Sequence, residues 1–180
     1  MTTTTTLSEL TGDYGLDTTR TTLGFVARHT MAGRVSGHFD EFEGVAHLDG
    51  DDPSRSSVRF TVKAASILTG NRQRDDQLRT AFLDVEGHPV LTFASTGVRH
   101  LGGTRFEIDG DLSIRGVTHP VSGIAVELVE ARPAGVALAG SFTIDRNRWG
   151  VNWNFATKLL VSPKVTVRFT AGLAPKAVTR

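Results

Sequence analysis

Arg105-Phe-Glu-Ile-Asp-Gly-Asp-Leu-Ser-Ile-Arg115 decides the fold class. Phe106, Ile108, Leu112 and Ile114 fall on one side of an extended chain, and Glu107, Asp109, Asp111, Ser113 and Arg115 on the other. A period of two alternates side chains between the faces of a strand, so the stretch predicts a strand with one dry and one wet face. The same alternation runs through Val58, Phe60, Val62 and Ala64, with Arg59, Thr61 and Lys63 opposite. It returns in Val136, Leu138, Phe142 and Ile144, and again in Val165, Val167, Phe169 and Ala171. Shorter versions occur at Leu23–Phe25–Ala27–His29, Val35–Gly37–Phe39, Leu91–Phe93 and Ile124–Val126–Leu128. Strands of this two-faced kind belong to an antiparallel sheet.

One segment reads as a helix. Asn71 to Asp84 carries Leu78, Phe82 and Leu83 at helical spacing among Arg72, Gln73, Arg74, Asp75, Asp76 and Gln77, and Gly87 and Pro89 stop it. Turn residues punctuate the rest, at Asp49–Gly50 through Pro53, Leu101–Gly102–Gly103, Arg132–Pro133 and Asn147 to Pro163. About eight strands in sequential hairpins, with one short helix between them, predict a closed meander. Closure removes the exposed edges that long alternating strands would otherwise leave. A β-sandwich is the competing architecture.

An eight-stranded barrel is just wide enough to be filled by side chains or to hold one small ligand. On the inner face, large residues (Phe25, Phe39, Phe93, Phe106, Phe142) alternate with small ones (Ala27, Gly37, Ala46, Gly110, Gly140). Small residues stacked opposite large ones predict a filled core; small residues clustered together predict an apolar tunnel. The order along the chain leaves both open.

The chain has 180 residues, enough for one domain, with 39% hydrophobic and 22% charged residues, a globular composition. Twenty Lys and Arg stand against nineteen Asp and Glu, a formal charge of +1. That balance gives no reason to expect a nucleic-acid partner or a polybasic membrane-surface protein. With no cysteine, disulfides, thiolate metal sites and cysteine nucleophiles are excluded. Met1 to Leu10 reads MTTTTTLSEL, without the basic and apolar regions of a signal peptide, and no stretch is long and apolar enough to span a membrane as a helix. The expectation is a cytoplasmic protein with a solvated tail over residues 1–11, a barrel domain over 12–173 and a C-terminal tail over 174–180.

Signatures of catalysis are scarce. His29, His38, His47, His88, His100 and His119 are scattered singly, with no metal-binding spacing. His29 alone is in phase with an inner face; near a barrel end it reads as a headgroup donor, a general base or a hydrogen-bonded structural histidine. Arg74 and Asp75 read as the cap of a polar opening or as a solvated helix start. Trp149 and Trp153, near Phe155, either lid a cavity or pack on the barrel end. The chain contains no GxSxG, no GxxxxGK[ST] and no GxGxxG. No cofactor and no metal are expected.

Four ordered blocks resemble the YceI-like family of lipocalin-like, polyisoprenoid-binding barrels. The first is Tyr14-Gly-Leu-Asp17, Phe25-Val-Ala-Arg-His29 and Val35-Ser-Gly-His-Phe39, with Phe42 and Gly44. The second is Ser66-Ile-Leu-Thr69, Arg74-Asp75, Leu78, Phe82-Leu-Asp84 and His88-Pro89, leading to Phe93. The third runs from Ile108 to Val121, and the fourth is Ile144-Asp-Arg-Asn-Arg-Trp-Gly150. The resemblance covers about Gly12 to Leu173. It implies an extended eight-stranded antiparallel barrel whose apolar pore holds a long isoprenoid tail, often in a homodimer. It places Phe25, His29, Phe39, Phe93, Phe106 and Phe142 along or near the pore, with Leu78 and Phe82 covering one wall. Arg74 and Asp75 match the family signature, either as ligand contacts or as ties between helix and barrel. With Trp149 these residues make up the expected ligand site. Many members carry an export signal, which Met1 to Leu10 lacks, so a periplasmic carrier role is not carried over. The leading expectation is therefore non-catalytic binding, storage or transport of a long-chain isoprenoid such as a quinone or polyprenyl lipid. The alternatives are an enzyme with His29 as acid/base and Arg74 as an anion clamp, and a filled barrel that works through a protein interface.

Overall fold

The structure, a computed structural model, describes residues 5–31, 33–152 and 161–177. Ten strands form one antiparallel sheet: β1 (Gly12–His29), β2 (Gly33–Phe39), β3 (Phe42–Leu48), β4 (Ser57–Lys63), β5 (Ile67–Leu68), β6 (Val90–Gly102), β7 (Arg105–Ile114), β8 (Val117–Arg132), β9 (Gly135–Asp145) and β10 (Val161–Pro175). β10 pairs with β1, which closes the ring β1-β3-β4-β6-β7-β8-β9-β10 into an eight-stranded barrel. A sandwich is thereby excluded.

β1 is the strand that shapes the barrel. Its first part, Gly12 to Gly15, pairs with β3, and its last part, Leu23 to His29, pairs with β2. β2 and the two-residue β5 therefore extend the wall at one end, outside the closed ring. The sequence alternation anticipates eight strands, and the ring has eight, but the membership differs. β2 stands in the extension, while β3 takes its place in the ring. β3 escapes the pattern because its inner residues include Gly44 and its outer row includes the exposed Val45.

The helix α1 (Arg72–Gln77) begins at Asn71, whose side chain accepts from the Arg74 N–H at 3.0 Å. It continues into a wider turn over Leu78–Phe82, close to the expected span, and packs Leu78 against the core. Among the described residues no helix is long and apolar enough to cross a membrane.

Two apolar clusters make up the interior. The larger gathers Ile67, Leu83, Ile108, Leu112, Ile114, Ile124 and Trp149, with Phe25, Phe39, Phe93 and Phe142 partly buried against them. The smaller gathers Leu10, Tyr14, Ala46, Val58, Val136 and Leu173. Leu10 comes from a 3₁₀ turn over Leu7–Leu10, inside the segment read from sequence as a tail. That turn is fastened by the Tyr14 hydroxyl, which donates to the Leu10 carbonyl at 2.9 Å.

Candidate functional site

A cavity of about 680 Å³ runs up the barrel. That lies inside the ordinary range for ligand sites, roughly 300–1,000 Å³. Its lining on β1 extends from Leu16 to His29. At roughly 3.3 Å per residue and a strand tilt near 40°, this makes a depth of about 30 Å. Val58, Leu138 and Leu173 belong both to the lining and to the smaller cluster, so that cluster is the floor. The walls are apolar, with Phe25, Phe39, Phe60, Phe93, Phe142 and Phe169 among them. The charged and amide side chains of the lining gather at the other end, from Arg28 and His29 on β1, from Asn71, Gln73, Arg74 and Gln77 around α1, and from Arg146, while Thr21, Thr22, Thr92 and Thr170 add hydroxyls along the walls.

The choice between filled core and tunnel turns on how the rings lie. A Cβ added at Gly37 would fall 2.4 Å from Phe25 Cζ, at Gly110 2.3 Å from Phe93 Cζ, and at Gly140 2.5 Å from Phe169 Cζ. At Gly44 it would fall 2.7 Å from Phe60 Cδ1. Phe25, Phe60 and Phe169 stand directly opposite their glycines on the neighbouring strand, and Phe93 stands diagonally across from Gly110. Each ring thus lies along the wall over a missing side chain. Small residues do neighbour large ones, which the sequence reading associated with a filled core. The outcome is the reverse, because the pairing runs around the wall and not across the lumen.

Of the residues anticipated from sequence, the structure brings Phe25, His29, Phe39, Arg74, Leu78, Phe82, Phe93 and Phe142 to the cavity. The other three are elsewhere. Phe106 stacks on His100, ring centroids 4.7 Å apart, away from the cavity lining. Trp149 is fully buried, and its indole N–H donates to the Leu112 carbonyl at 2.8 Å. Of its two readings it takes the packing one; Trp153 and Phe155 lie outside the described residues. Asp75 is buried beside the cavity, where its Oδ1 accepts from the Thr69 N–H at 2.9 Å and the Thr69 hydroxyl at 2.5 Å. Arg74 donates from Nε to the Thr69 hydroxyl at 2.8 Å and from Nη2 to the Thr69 carbonyl at 3.0 Å. The pair ties the helix to the chain leaving β5, and Arg74 also borders the cavity.

His29 is oriented by the Met31 N–H, which donates to Nδ1 at 3.1 Å. In the neutral ring that leaves the proton on Nε2. The other histidines hold separate places, for example His38 beside Asp40 and His47 beside Asp13. Among the described residues no three metal-ligating side chains converge.

Arg146 is the residue that sequence reasoning missed. It is buried, and it donates to the carbonyls of Ser162 at 3.1 Å, Val151 at 2.5 Å and Val161 at 2.9 Å. Burial pushes its pKa below the ordinary arginine value, against the opposing charge of Asp145. Its place in the block Ile144 to Gly150 was the available signal. Phe60 and Phe169 were visible in the alternation but not distinguishable there from ordinary core.

Comparison with known proteins bears on this geometry. A UPF0312 protein of Azotobacter vinelandii is 39% identical over 100 residues, covering 55% of this chain and 52% of its own length. The chain thus spans about half the length of that relative. Burkholderia cenocepacia BcnA shares the fold with a TM-score of 0.79 at 22% identity, over 87% of this chain and 98% of its own. A polyisoprenoid-binding domain from Saccharophagus degradans, implicated in plant cell wall breakdown, shares it with a TM-score of 0.71 at 17% identity, over 91% and 98%. A family model for the YceI-like domain matches residues 14–173, from the first residues of β1 almost to the end of β10. With the match running through all eight strands of the barrel and missing only the outermost residues of β1 and β10, the chain belongs to the YceI-like family.

Proposed function

We propose that the barrel is a non-catalytic container that binds, stores or transports a long-chain isoprenoid, of quinone-like or polyprenyl type. The observation that carries the reading is the cavity, deep and predominantly apolar, floored by the smaller cluster and with its charged lining side chains toward its mouth. The named ligand class of the Saccharophagus degradans domain supports it. Energetics favours a long chain over a short one. Each buried CH₂ contributes roughly 0.8 kcal/mol, so a five-carbon unit contributes about 3–4 kcal/mol. Association costs about 4–15 kcal/mol in lost freedom. One unit barely offsets that cost, whereas several in a preformed pore bind firmly. The homodimer implied by family resemblance is part of this reading, and light scattering tests it.

The test is organic extraction of freshly purified protein followed by mass spectrometry of the extract. A stoichiometric isoprenoid supports the container and names the ligand class. An empty extract, together with no uptake when a long-chain isoprenoid is titrated in, refutes it.

A further inference from the structure

The formal charge of +1 conceals an uneven distribution. At the floor end, Arg20, Arg55 and Arg132 each hold a carboxylate, those of Glu130, Asp49 and Glu130 respectively. At the mouth the arrangement differs. Arg28 and Arg34 are cross-strand partners on β1 and β2, two like charges side by side on an exposed edge. Such a pairing is unfavourable by itself. Arg72 is exposed at the start of α1, between the cavity-lining Asn71 and Gln73. Among the described residues none of these three arginines has a carboxylate at ion-pair distance. The nearby acids are engaged: Asp76 holds Arg79, Asp40 holds His38, and Asp75 is taken up by Thr69. Between Arg28 and Arg34, at the tip of the β1–β2 hairpin, Met31 is 83% exposed, the most exposed large apolar side chain described.

Unpaired cations around a projecting apolar tip, on the rim of an apolar cavity, complement an anionic bilayer surface. We propose that the mouth of the barrel docks on an anionic lipid bilayer, with Arg28, Arg34 and Arg72 against the headgroups and Met31 entering the interface. This rests on the container reading for its purpose. A long isoprenoid is too apolar to cross water freely, and a mouth seated on the membrane passes it from bilayer to pore without exposing it. The closed floor leaves the mouth as the entrance, so charge and entrance coincide.

The experiment is sedimentation of the full chain with phosphatidylcholine vesicles, with and without a quarter of phosphatidylglycerol. Binding should require phosphatidylglycerol and weaken as salt rises. Each basic residue near an anionic surface is worth a factor of about five, so replacing two of them weakens binding by at least about 25-fold. Arg34→Glu with Arg72→Glu should show that loss, Met31→Asp should weaken binding, and Arg132→Glu at the floor end should bind as the parent does. Equal binding to neutral vesicles, no binding to either, or equal loss in Arg132→Glu would overturn the proposal. So would retention on single-stranded DNA in preference to the vesicles. Vesicle binding and extracted lipid are read separately. Protein that carries isoprenoid yet ignores anionic vesicles overturns the docking alone, and protein that sediments but never takes up isoprenoid overturns the container alone.

Discussion

Replacing Gly110 by alanine tests whether the cavity stays open because phenylalanine rings lie over glycines. The added Cβ would sit 2.3 Å from Phe93 Cζ, 2.5 Å from Phe93 Cε2 and 2.7 Å from the Ala94 carbonyl oxygen. Carbon atoms in contact settle near ~3.5 Å, so the ring has to retreat by roughly 1 Å. Gly110 does not have a positive φ, so the backbone tolerates alanine and the cost is steric. With the wall side blocked, the ring moves toward the lumen. Overpacking of this kind costs about 1–3 kcal/mol. Urea unfolding of the parent, Gly110→Ala, Phe93→Leu and the double variant measures it, with titration of a long-chain isoprenoid in parallel. Phe93→Leu removes the clashing ring atoms and leaves only the carbonyl contact. Alanine should therefore cost at least about 0.5 kcal/mol less in that background, the lower end of coupling between touching residues. Gly110→Ala alone should also lower the uptake of long chains. Strict additivity of the two substitutions, or parental stability and uptake in Gly110→Ala, would refute the reasoning.

Phe142→Asp places a carboxylate in the apolar wall and should abolish isoprenoid uptake; retained uptake by a folded variant counts against this cavity as the site. Trp149→Ala empties a fully buried position and strands the Leu112 carbonyl, so denaturant unfolding should show a loss of about 3–5 kcal/mol. Asp75→Ala leaves the Thr69 N–H and hydroxyl without their acceptor and should cost about 1–3 kcal/mol, whereas a helix start merely solvated would lose almost nothing. The Arg99 guanidinium, and then the Gly123 N–H, hold the Asp109 pKa down to about 2. A depressed folded-state pKa stabilises above the unfolded value near ~3.9, and the effect fades as pH falls from there toward 2. The urea midpoint should drop less steeply across that window in Asp109→Asn than in the parent.

The sheet was legible in the chain because one face of each long strand is wet. Glu107, Asp109 and Asp111 opposite Phe106, Ile108 and Leu112 leave little choice of conformation. β3 was not legible, since Gly44 contributes no hydrophobic signal and Val45 points outward. Of the site, the residues in phase with strong alternation were found: Phe25, Phe39, Phe93 and Phe142. Phase gives the face but not the height along the barrel, and Phe106 shows the difference, being spent on His100. Arg74 and Asp75 raised a choice that sequence alone leaves open, because their partner is the backbone and hydroxyl of Thr69, and a hydrogen bond to backbone leaves no pattern in side-chain types. Arg146 was hidden for the same reason, donating as it does to the backbone carbonyls of Ser162, Val151 and Val161.

The cavity itself raises a question of volume. Ten phenylalanines in a chain of 180 residues are ample to fill an eight-stranded barrel, which at that strand number has little interior to spare. The interior stays open because four of those rings share their place with a glycine on the next strand. Two inner positions then hold the volume of one side chain, and the inner layer is thinner at each pair. Composition cannot report this, since moving a glycine by one residue along its strand keeps every count and turns its site to the outer face. The register that joins Phe25 to Gly37, Phe60 to Gly44 and Phe169 to Gly140 is therefore what separates a container from a packed core. It also fixes which substitutions matter. A larger residue at these glycines narrows the pore, whereas a smaller one at the phenylalanines widens it and should relax selection among chains of different thickness.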